Sequence, residues 1–176
     1  MSGLDTLIGK EKFDIVTLEQ LKALEETPEV EGLVYTRDIN LLAVHCSATP
    51  EGRYVDAVQI NKWHLEKGWN EVGYHFVILL NGSVQFGRDW NDTGAHVKGR
   101  NTGSLGLCYI GGVDRDDVDI AKDTRTPEQL EAYDILIRSF KKRWPNAEIA
   151  GHNQFAAKAC PSFDVPSDLK ARGLAA

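Results

Sequence analysis

The sequence predicts an α/β protein with a central mixed β-sheet flanked by helices. Compact apolar runs read as buried strands, an Asn-Gly pair between two of them indicates a hairpin, and helical patterns alternate with the strands. The 176 residues suit one domain with a sizeable core. A hydrophobic content of 42% and a charged content of 26% are ordinary for a globular protein.

The N-terminal part of the chain predicts only one short helix. Residues 1–16 have weak periodicity, so we expect them to lack firm structure. Thr17 and Gln20 fit a capping box, in which two side chains satisfy free N–H groups at the start of a helix. The helix should cover residues 18–26 and end at Thr27-Pro28. Residues 1–38 are therefore interpreted as an N-terminal extension.

The next two elements each carry a histidine. Residues 39–44 form a mostly apolar run that predicts a buried strand ending in His45, where a side chain can point into a cleft. Residues 56–67 predict a helix that Gly68 stops. His64 falls on or near the inward face of this helix. It either packs as a hydrogen-bonded core histidine or lines a substrate groove.

Residues 72–80 give the strongest strand signal, followed by an Asn-Gly pair and a second strand at residues 83–86. Side chains alternate between the two faces of a strand. That alternation predicts that Tyr74 and His75 face opposite sides, so only one of them is functional. The remaining elements are a loop at residues 88–102, a strand at 105–110, an acidic loop at 114–123, a helix from the Thr126–Gln129 capping box to about Trp144, a strand at 147–151 and a short helix at 167–172.

Composition excludes several functional classes. A formal net charge of −6 argues against a nucleic-acid binder, which would show a basic stripe. No apolar run is long enough to cross a membrane, and the first ten residues show no secretory signal. Three cysteines make an odd count, and Cys46 and Cys108 read as buried thiols. We expect synthesis in a cytoplasm and no nucleic-acid or membrane partner.

The segment from residue 152 to residue 164 concentrates the chemistry. It holds an imidazole at His152, an amine at Lys158 and a thiol at Cys160. Together with His45, the imidazole and the thiol make a three-ligand set of the kind that catalytic zinc uses, with the fourth position left for water. Spacing alone leaves a second interpretation open, in which Cys160 is a nucleophile activated by a histidine base.

Several separated motifs resemble the zinc-dependent N-acetylmuramoyl-L-alanine amidases, the type 2 amidase and peptidoglycan recognition protein superfamily. The likeness covers about residues 39–166 and is greatest to the lysozymes of T-odd bacteriophages. The residues that carry it are Val44-His45-Cys46-Ser47-Ala48-Thr49, Gly73-Tyr74-His75-Phe76, Gly94-Ala95-His96-Val97-Lys98-Gly99, Asn101, Ser104-Leu105-Gly106 and Lys158-Ala159-Cys160-Pro161-Ser162-Phe163-Asp164.

The resemblance implies a fold and a site. Residues 39–176 become the zinc amidase catalytic domain, with zinc held by His45, His152 and Cys160. The catalytic tyrosine and lysine of the family correspond to Tyr74 and Lys158. Zinc lowers the pKa of its water, Lys158 stabilises the oxyanion, and Tyr74 positions the water or assists proton transfer. His96, Asn101 and His64 are predicted to bind substrate, although His96 could instead hydrogen-bond within its loop.

The function implied is hydrolysis of the amide between N-acetylmuramic acid and L-alanine in peptidoglycan, by a monomeric phage endolysin made in the host bacterial cytoplasm and released to the wall at lysis. One alternative is a module that binds muropeptide without cutting it, but such relatives typically lose the cysteine ligand that Cys160 provides here. Another alternative is a regulator that binds a phage RNA polymerase.

Overall fold

In the computed structural model, residues 10–25 and 37–175 are described, and within them six strands form one sheet. The strands of the described residues are β1 (Ile15–Val16), β2 (Leu41–Cys46), β3 (Thr49–Pro50), β4 (Phe76–Ile78), β5 (Val84–Phe86), β6 (Ser104–Tyr109), β7 (Gly112–Val113) and β8 (Glu148–Gly151). The spatial order in the six-stranded sheet is β1-β5-β4-β6-β2-β8, and a separate pair joins β3 to β7. The prediction of a mixed sheet is confirmed.

Strand β2 lies inside the sheet between two parallel neighbours. It pairs with β6 from Leu41 opposite Ser104 to Cys46 opposite Tyr109, and with β8 from Leu41 opposite Glu148 to Val44 opposite Gly151. Strand β4 is also parallel to β6, whereas β5 runs antiparallel to β4 through the predicted hairpin. The carboxyl ends of β2 and β8 therefore meet at one edge of the sheet.

Four helices flank the sheet within the described residues: α1 (Leu18–Glu25), α2 (Ala57–Glu66), α3 (Pro127–Arg143) and α4 (Val165–Ala171). The capping box predicted for α3 is present, with the Thr126 hydroxyl accepting from the Gln129 N–H and the Gln129 amide oxygen accepting from the Thr126 N–H. Helix α4 begins two residues before its predicted start, because the Asp164 carboxylate caps it by accepting from the Ser167 N–H.

The two faces of the sheet have different neighbours. Leu42 and Val44 point into the large apolar cluster that includes buried side chains of α1, α3 and α4. The alternate residues Leu41 and Ala43 belong to a smaller cluster on the other side, and His45 follows them on that face. Helix α2 packs there too, since Ala57 and Ile60 cluster with Val77 of β4.

Strand boundaries differ from the prediction in two places. Strand β2 continues through His45 to Cys46, because its pairing with β6 extends that far. The strand predicted over residues 72–80 is regular only from Phe76 to Ile78. Residues 72–75 have a less regular backbone, so the strict alternation of faces predicted for Tyr74 and His75 does not hold there.

The N-terminal segment is more ordered than the sequence predicts. Ile15 and Val16 form β1, which pairs antiparallel with β5 at the edge of the sheet. Helix α1 starts at the predicted capping box and packs on α3, with ion pairs Lys22–Glu131 and Glu25–Arg138 between them. The predicted stop at Thr27-Pro28 lies outside the described residues, and the boundary at residue 38 stays a prediction. No described helix is long and apolar enough to span a bilayer.

Candidate active site

His45, His152 and Cys160 meet at the edge where β2 and β8 end. His45 is the fifth residue of β2, and His152 directly follows β8. Their ring centroids lie 4.7 Å apart, and the Cys160 sulfur lies 3.7 Å from Nδ1 of His45. One ligand atom from each of the three residues lies within 4.8 Å of the others. The structure thus brings together the three residues that the sequence predicted as ligands.

The chain from His152 to Cys160 returns to the site because backbone contacts close it. The Asn153 N–H donates to the Cys160 carbonyl at 2.7 Å, and the Asn153 side-chain amide donates to the Phe163 carbonyl at 3.1 Å. The Arg125 guanidinium lies 3.6 Å from the centre of the Phe163 ring. The Cys160 sulfur itself accepts from the Cys46 N–H at 3.3 Å. These contacts hold the thiol against the end of β2.

The donor set fits a zinc ion. Two imidazoles and a thiol match the nitrogen and sulfur ligands that zinc prefers, and three protein ligands leave a position for water. Burial lowers the pKa of His45, as do the neighbouring His96, His152 and Lys158. That shift keeps the imidazole neutral, which is the form that binds metal. The Cys46 thiol and burial raise the pKa of Cys160, so metal binding has to displace its proton.

Tyr74 and Lys158 flank this cluster in a cleft of about 260 Å³ that His152 and Cys160 also line. The Tyr74 ring centroid lies 5.1 Å from that of His45. Burial raises the pKa of Tyr74, so its hydroxyl stays protonated at neutral pH. Lys158 is exposed and follows the cluster's second histidine by six positions, so its ammonium can reach the cleft from the rim.

A second cleft of about 460 Å³ adjoins the first, since both are lined by His152 and Lys158. It contains two of the residues predicted to bind substrate, His96 and Asn101. The Asn101 side-chain oxygen accepts from the N–H groups of His96 and Val97, each at 2.9 Å. The other residues along it are Trp69, Ala95, Val97, Lys98, Phe155 and Ala156.

His64 combines the two roles that the sequence left open. It is 6% exposed, and its Nδ1 accepts from the Gly73 N–H at 3.0 Å. Its ring packs at a tilt of 41° against Trp69 with centroids 4.4 Å apart, and it also lines the first cleft. Burial lowers the pKa of His64 to about 4, helped by the nearby charges of Lys67 and Arg88. It is a packed neutral histidine at the cleft wall.

The predicted separation of Tyr74 from His75 is wrong. Tyr74 packs with the cluster of Val77, and His75 lies on the same side of the sheet, with its ring centroid 5.8 Å from that of His96. The reason is the irregular backbone before Phe76. Both ring nitrogens of His75 are engaged by the backbone, since they pair with the Gly106 N–H at 2.9 Å and the Asp92 carbonyl at 3.0 Å.

Sequence reasoning missed Arg37 and Trp69. The Arg37 guanidinium donates to five backbone carbonyls of the loop and strand start between residues 90 and 104. It therefore shapes the wall of the second cleft. Nothing in the sequence around Arg37 signals this. Trp69 is 40% exposed although it is large and apolar, and its position just after the helix stop at Gly68 was the available signal.

The mixed sheet and the ligand cluster at its strand ends define the class of protein, a type 2 amidase. The family model described as N-acetylmuramoyl-L-alanine amidase matches residues 35–163. The chain belongs to the N-acetylmuramoyl-L-alanine amidase family.

Individual relatives narrow this further. The endolysin of Enterobacteria phage K11 is 43% identical over 72% of this chain and 83% of its own length. The endolysin of Escherichia phage T7 is 41% identical over 69% of this chain and 80% of its own. Among solved structures, the endolysin amidase LysCS from Clostridium intestinale URNW is similar with a TM-score of 0.64 and 25% identity, over 80% of this chain and 87% of that one. The chain is thus a member of the family similar to T7-like phage endolysins.

Proposed function

We propose that this protein is a zinc-dependent hydrolase that cleaves the amide between N-acetylmuramic acid and L-alanine in peptidoglycan. The observation that carries the proposal is the convergence of ligand atoms of His45, His152 and Cys160 within 4.8 Å, beside a cleft that His152, Cys160, Tyr74 and Lys158 line. When bound there, zinc supplies Lewis-acid polarisation and lowers the pKa of a water molecule toward about 7.

The remaining chemistry comes from two side chains of the cleft. Lys158 places an ammonium at the rim, where positive charge stabilises the negative charge that develops on the amide oxygen. Tyr74 keeps its proton because burial raises its pKa, so its hydroxyl can donate a hydrogen bond to the reacting groups. The two groups come from separate parts of the chain, since Tyr74 precedes β4 and Lys158 follows β8.

The two adjoining clefts support a substrate that extends to both sides of the reacting bond. Both are lined by His152 and Lys158, so we place the amide there. The glycan and the stem peptide then occupy the two clefts. His64 borders the first, and His96 and Asn101 border the second. The Asn101 oxygen is used by backbone N–H groups, so we assign substrate contact to its NH₂ group.

The phage relatives support a role as an endolysin. In that role the protein is made in the host cytoplasm and reaches the wall at lysis. The expectation of a monomer and the alternative of a regulator of phage RNA polymerase stay predictions.

The direct test is to identify the bond that is cut. Purified protein should contain one zinc per chain and release free stem peptide from Gram-negative peptidoglycan, as seen by mass spectrometry. A chelator should stop the release, and added zinc should restore it. Cys160→Ser should lose both zinc and activity. A wild-type protein that binds muropeptide with full zinc but releases no product would instead be a recognition module.

The role of Lys158 has its own test. Lys158→Ala should keep zinc while turnover falls roughly 10²–10³-fold, the cost typical of losing one oxyanion-stabilising group. Lys62→Ala, an exposed lysine on α2, is the matched control and should leave turnover unchanged. A wild-type rate for Lys158→Ala would refute the assignment.

A further inference from the structure

The His96 imidazole is 7% exposed, and both of its nitrogens are paired inside the protein. Its Nδ1 lies 3.1 Å from Nε2 of His45, and its Nε2 lies 3.3 Å from the hydroxyl of Ser104. The His45 and His96 rings meet edge to face, with centroids 5.1 Å apart and an interplanar angle of 86°. His96 thus touches the zinc ligand on the side opposite to the thiol, because Nδ1 of His45 faces Cys160.

Two glycines form a slot for this ring. A Cβ atom at Gly94 would lie 2.5 Å from Cδ2 of His96, and a Cβ at Gly106 would lie 2.7 Å from the same atom. Real Cβ atoms do not approach other atoms this closely. Any other residue at either position would displace the ring. The two glycines therefore leave space that the imidazole of His96 fills closely. A residue that only lined a cleft would not need such a close fit.

His45, His96, Ser104 and the Asn101 carbonyl form a row of hydrogen-bonded groups. The donors in this row all point in one direction once the metal-facing nitrogen of His45 is fixed. A neutral imidazole carries a proton on one nitrogen only. If Nδ1 of His45 faces the metal, Nε2 of His45 carries its proton and donates to Nδ1 of His96. His96 then carries its own proton on Nε2 and donates to Ser104. The Ser104 hydroxyl donates in turn to the Asn101 carbonyl at 3.2 Å.

We propose that His96 is a positioning residue that fixes the tautomer and the ring orientation of the zinc ligand His45, with Ser104 and the Asn101 carbonyl completing the row. This inference rests on the proposed zinc site. It also revises the predicted role of His96, because a ring with both nitrogens engaged has no nitrogen left for substrate.

Asn101 contacts this hydrogen-bonded row at two places. Its side-chain oxygen accepts from the N–H groups of His96 and Val97, which holds the backbone that carries the ring. Its carbonyl receives the Ser104 hydroxyl and, at 3.3 Å, the Arg37 guanidinium. Partners that orient a metal ligand in this way typically contribute 10–100-fold to metal affinity. We expect an effect of that size here.

The experiment measures zinc affinity by competition with a chromogenic chelator in four proteins. His96→Ala should bind zinc roughly 10–100-fold more weakly than the wild type. His96→Asn should recover most of the loss, because an Asn amide oxygen reaches about as far from the backbone as Nδ1 of histidine. His96→Gln should recover little, because its amide lies nearer the position of Nε2. Equal affinity in all four proteins would overturn the proposal.

The control is His75→Asn. His75 is buried on the same side of the sheet and pairs with backbone groups rather than with a zinc ligand. At pH 7.5 it should bind zinc as the wild type does, even if its stability is lower. If His75→Asn weakens zinc as much as His96→Ala does, the effect is general packing and the proposal fails.

A second readout is independent of affinity. In the zinc-loaded wild type, nitrogen-15 NMR should show the proton of His45 on Nε2 and that of His96 on Nε2. Protonation of His96 on Nδ1 would contradict the proposed row. The outcomes also separate the two proposals. A wild-type protein that binds no zinc would refute the proposed function. If the wild type binds zinc and His96→Ala binds it equally tightly, only the positioning role is refuted.

Discussion

On one face of the sheet, Leu42 and Val44 of β2 and Leu107 of β6 pack into an apolar cluster with α3. On the other face, His45 of β2 and Ser104 of β6 belong to a row of buried hydrogen-bonded groups. Neighbouring residues of the same strands thus face opposite chemical environments. The apolar face can therefore anchor the strands while the polar face holds ionisable groups in fixed positions, since a rigid sheet connects them.

The largest effect should come from removing a ligand on the polar face. Cys160→Ala should abolish zinc binding and amidase activity while the fold persists, because Cys160 is only partly buried at the border of the large apolar cluster. Cys108→Ala is the matched control, since Cys108 is fully buried but lies outside the ligand cluster. It should retain stoichiometric zinc by elemental analysis. Loss of zinc in Cys108→Ala, or its retention in Cys160→Ala, would contradict the assignment.

Truncating a side chain on the apolar face should lower stability and leave zinc binding intact. Leu107 is 1% exposed within the large cluster. Leu107→Ala should lower the free energy of unfolding by about 2–5 kcal/mol through lost burial and a cavity, as measured by urea denaturation. The molecules that remain folded should bind zinc normally. Leu65→Ala, at a half-exposed position on α2, should change stability by less than about 0.5 kcal/mol.

Lowering the pH should lower the free energy of unfolding, because the polar face buries an ionisable group. Burial lowers the pKa of His75 to about 4, from an ordinary value of 6.5. Between those values the unfolded chain binds a proton that the native state does not, so stability falls as the pH falls from 6.5 to 4 and this contribution levels off below 4. The loss should be on the order of 3 kcal/mol.

The comparison for this prediction uses metal-free protein, so that zinc release does not contribute. Urea denaturation at pH 7 and at pH 4.5 should show a smaller pH-dependent loss for His75→Asn than for the wild type. An identical pH dependence in the two proteins would mean that His75 is not the source of the effect.

The smallest effect should come from the start of α3. The Thr126 hydroxyl accepts from the Gln129 N–H at 3.0 Å and donates to the Leu80 carbonyl at 2.8 Å. Thr126→Ala should lower the free energy of unfolding by about 1 kcal/mol, and Thr126→Ser should restore most of it. Zinc affinity should not change in either variant. A change in zinc affinity would mean that the two faces are coupled more tightly than we propose.

The sequence predicted the elements whose signals are local. The capping boxes at Thr17 and Thr126 satisfy N–H groups three residues away, and the Asn-Gly hairpin joins adjacent strands, so both could be recognised without a fold. The predictions failed where a strand or its end depends on pairing with a distant part of the chain. Strand β2 runs past its predicted end because β6 pairs with it, and Ile15–Val16 forms a strand because β5 is available at the sheet edge.

The same division applies to the site. By itself the sequence predicted His45, His152 and Cys160 as the ligand set, because zinc chemistry and family motifs restrict ligands to a few residue types. Only the tertiary structure decided which nitrogen of His45 faces the thiol, that His96 occupies the other, and that Tyr74 and His75 share one side of the sheet. The reason is that ring orientation depends on contacts between residues 51 or more positions apart, which no local pattern encodes.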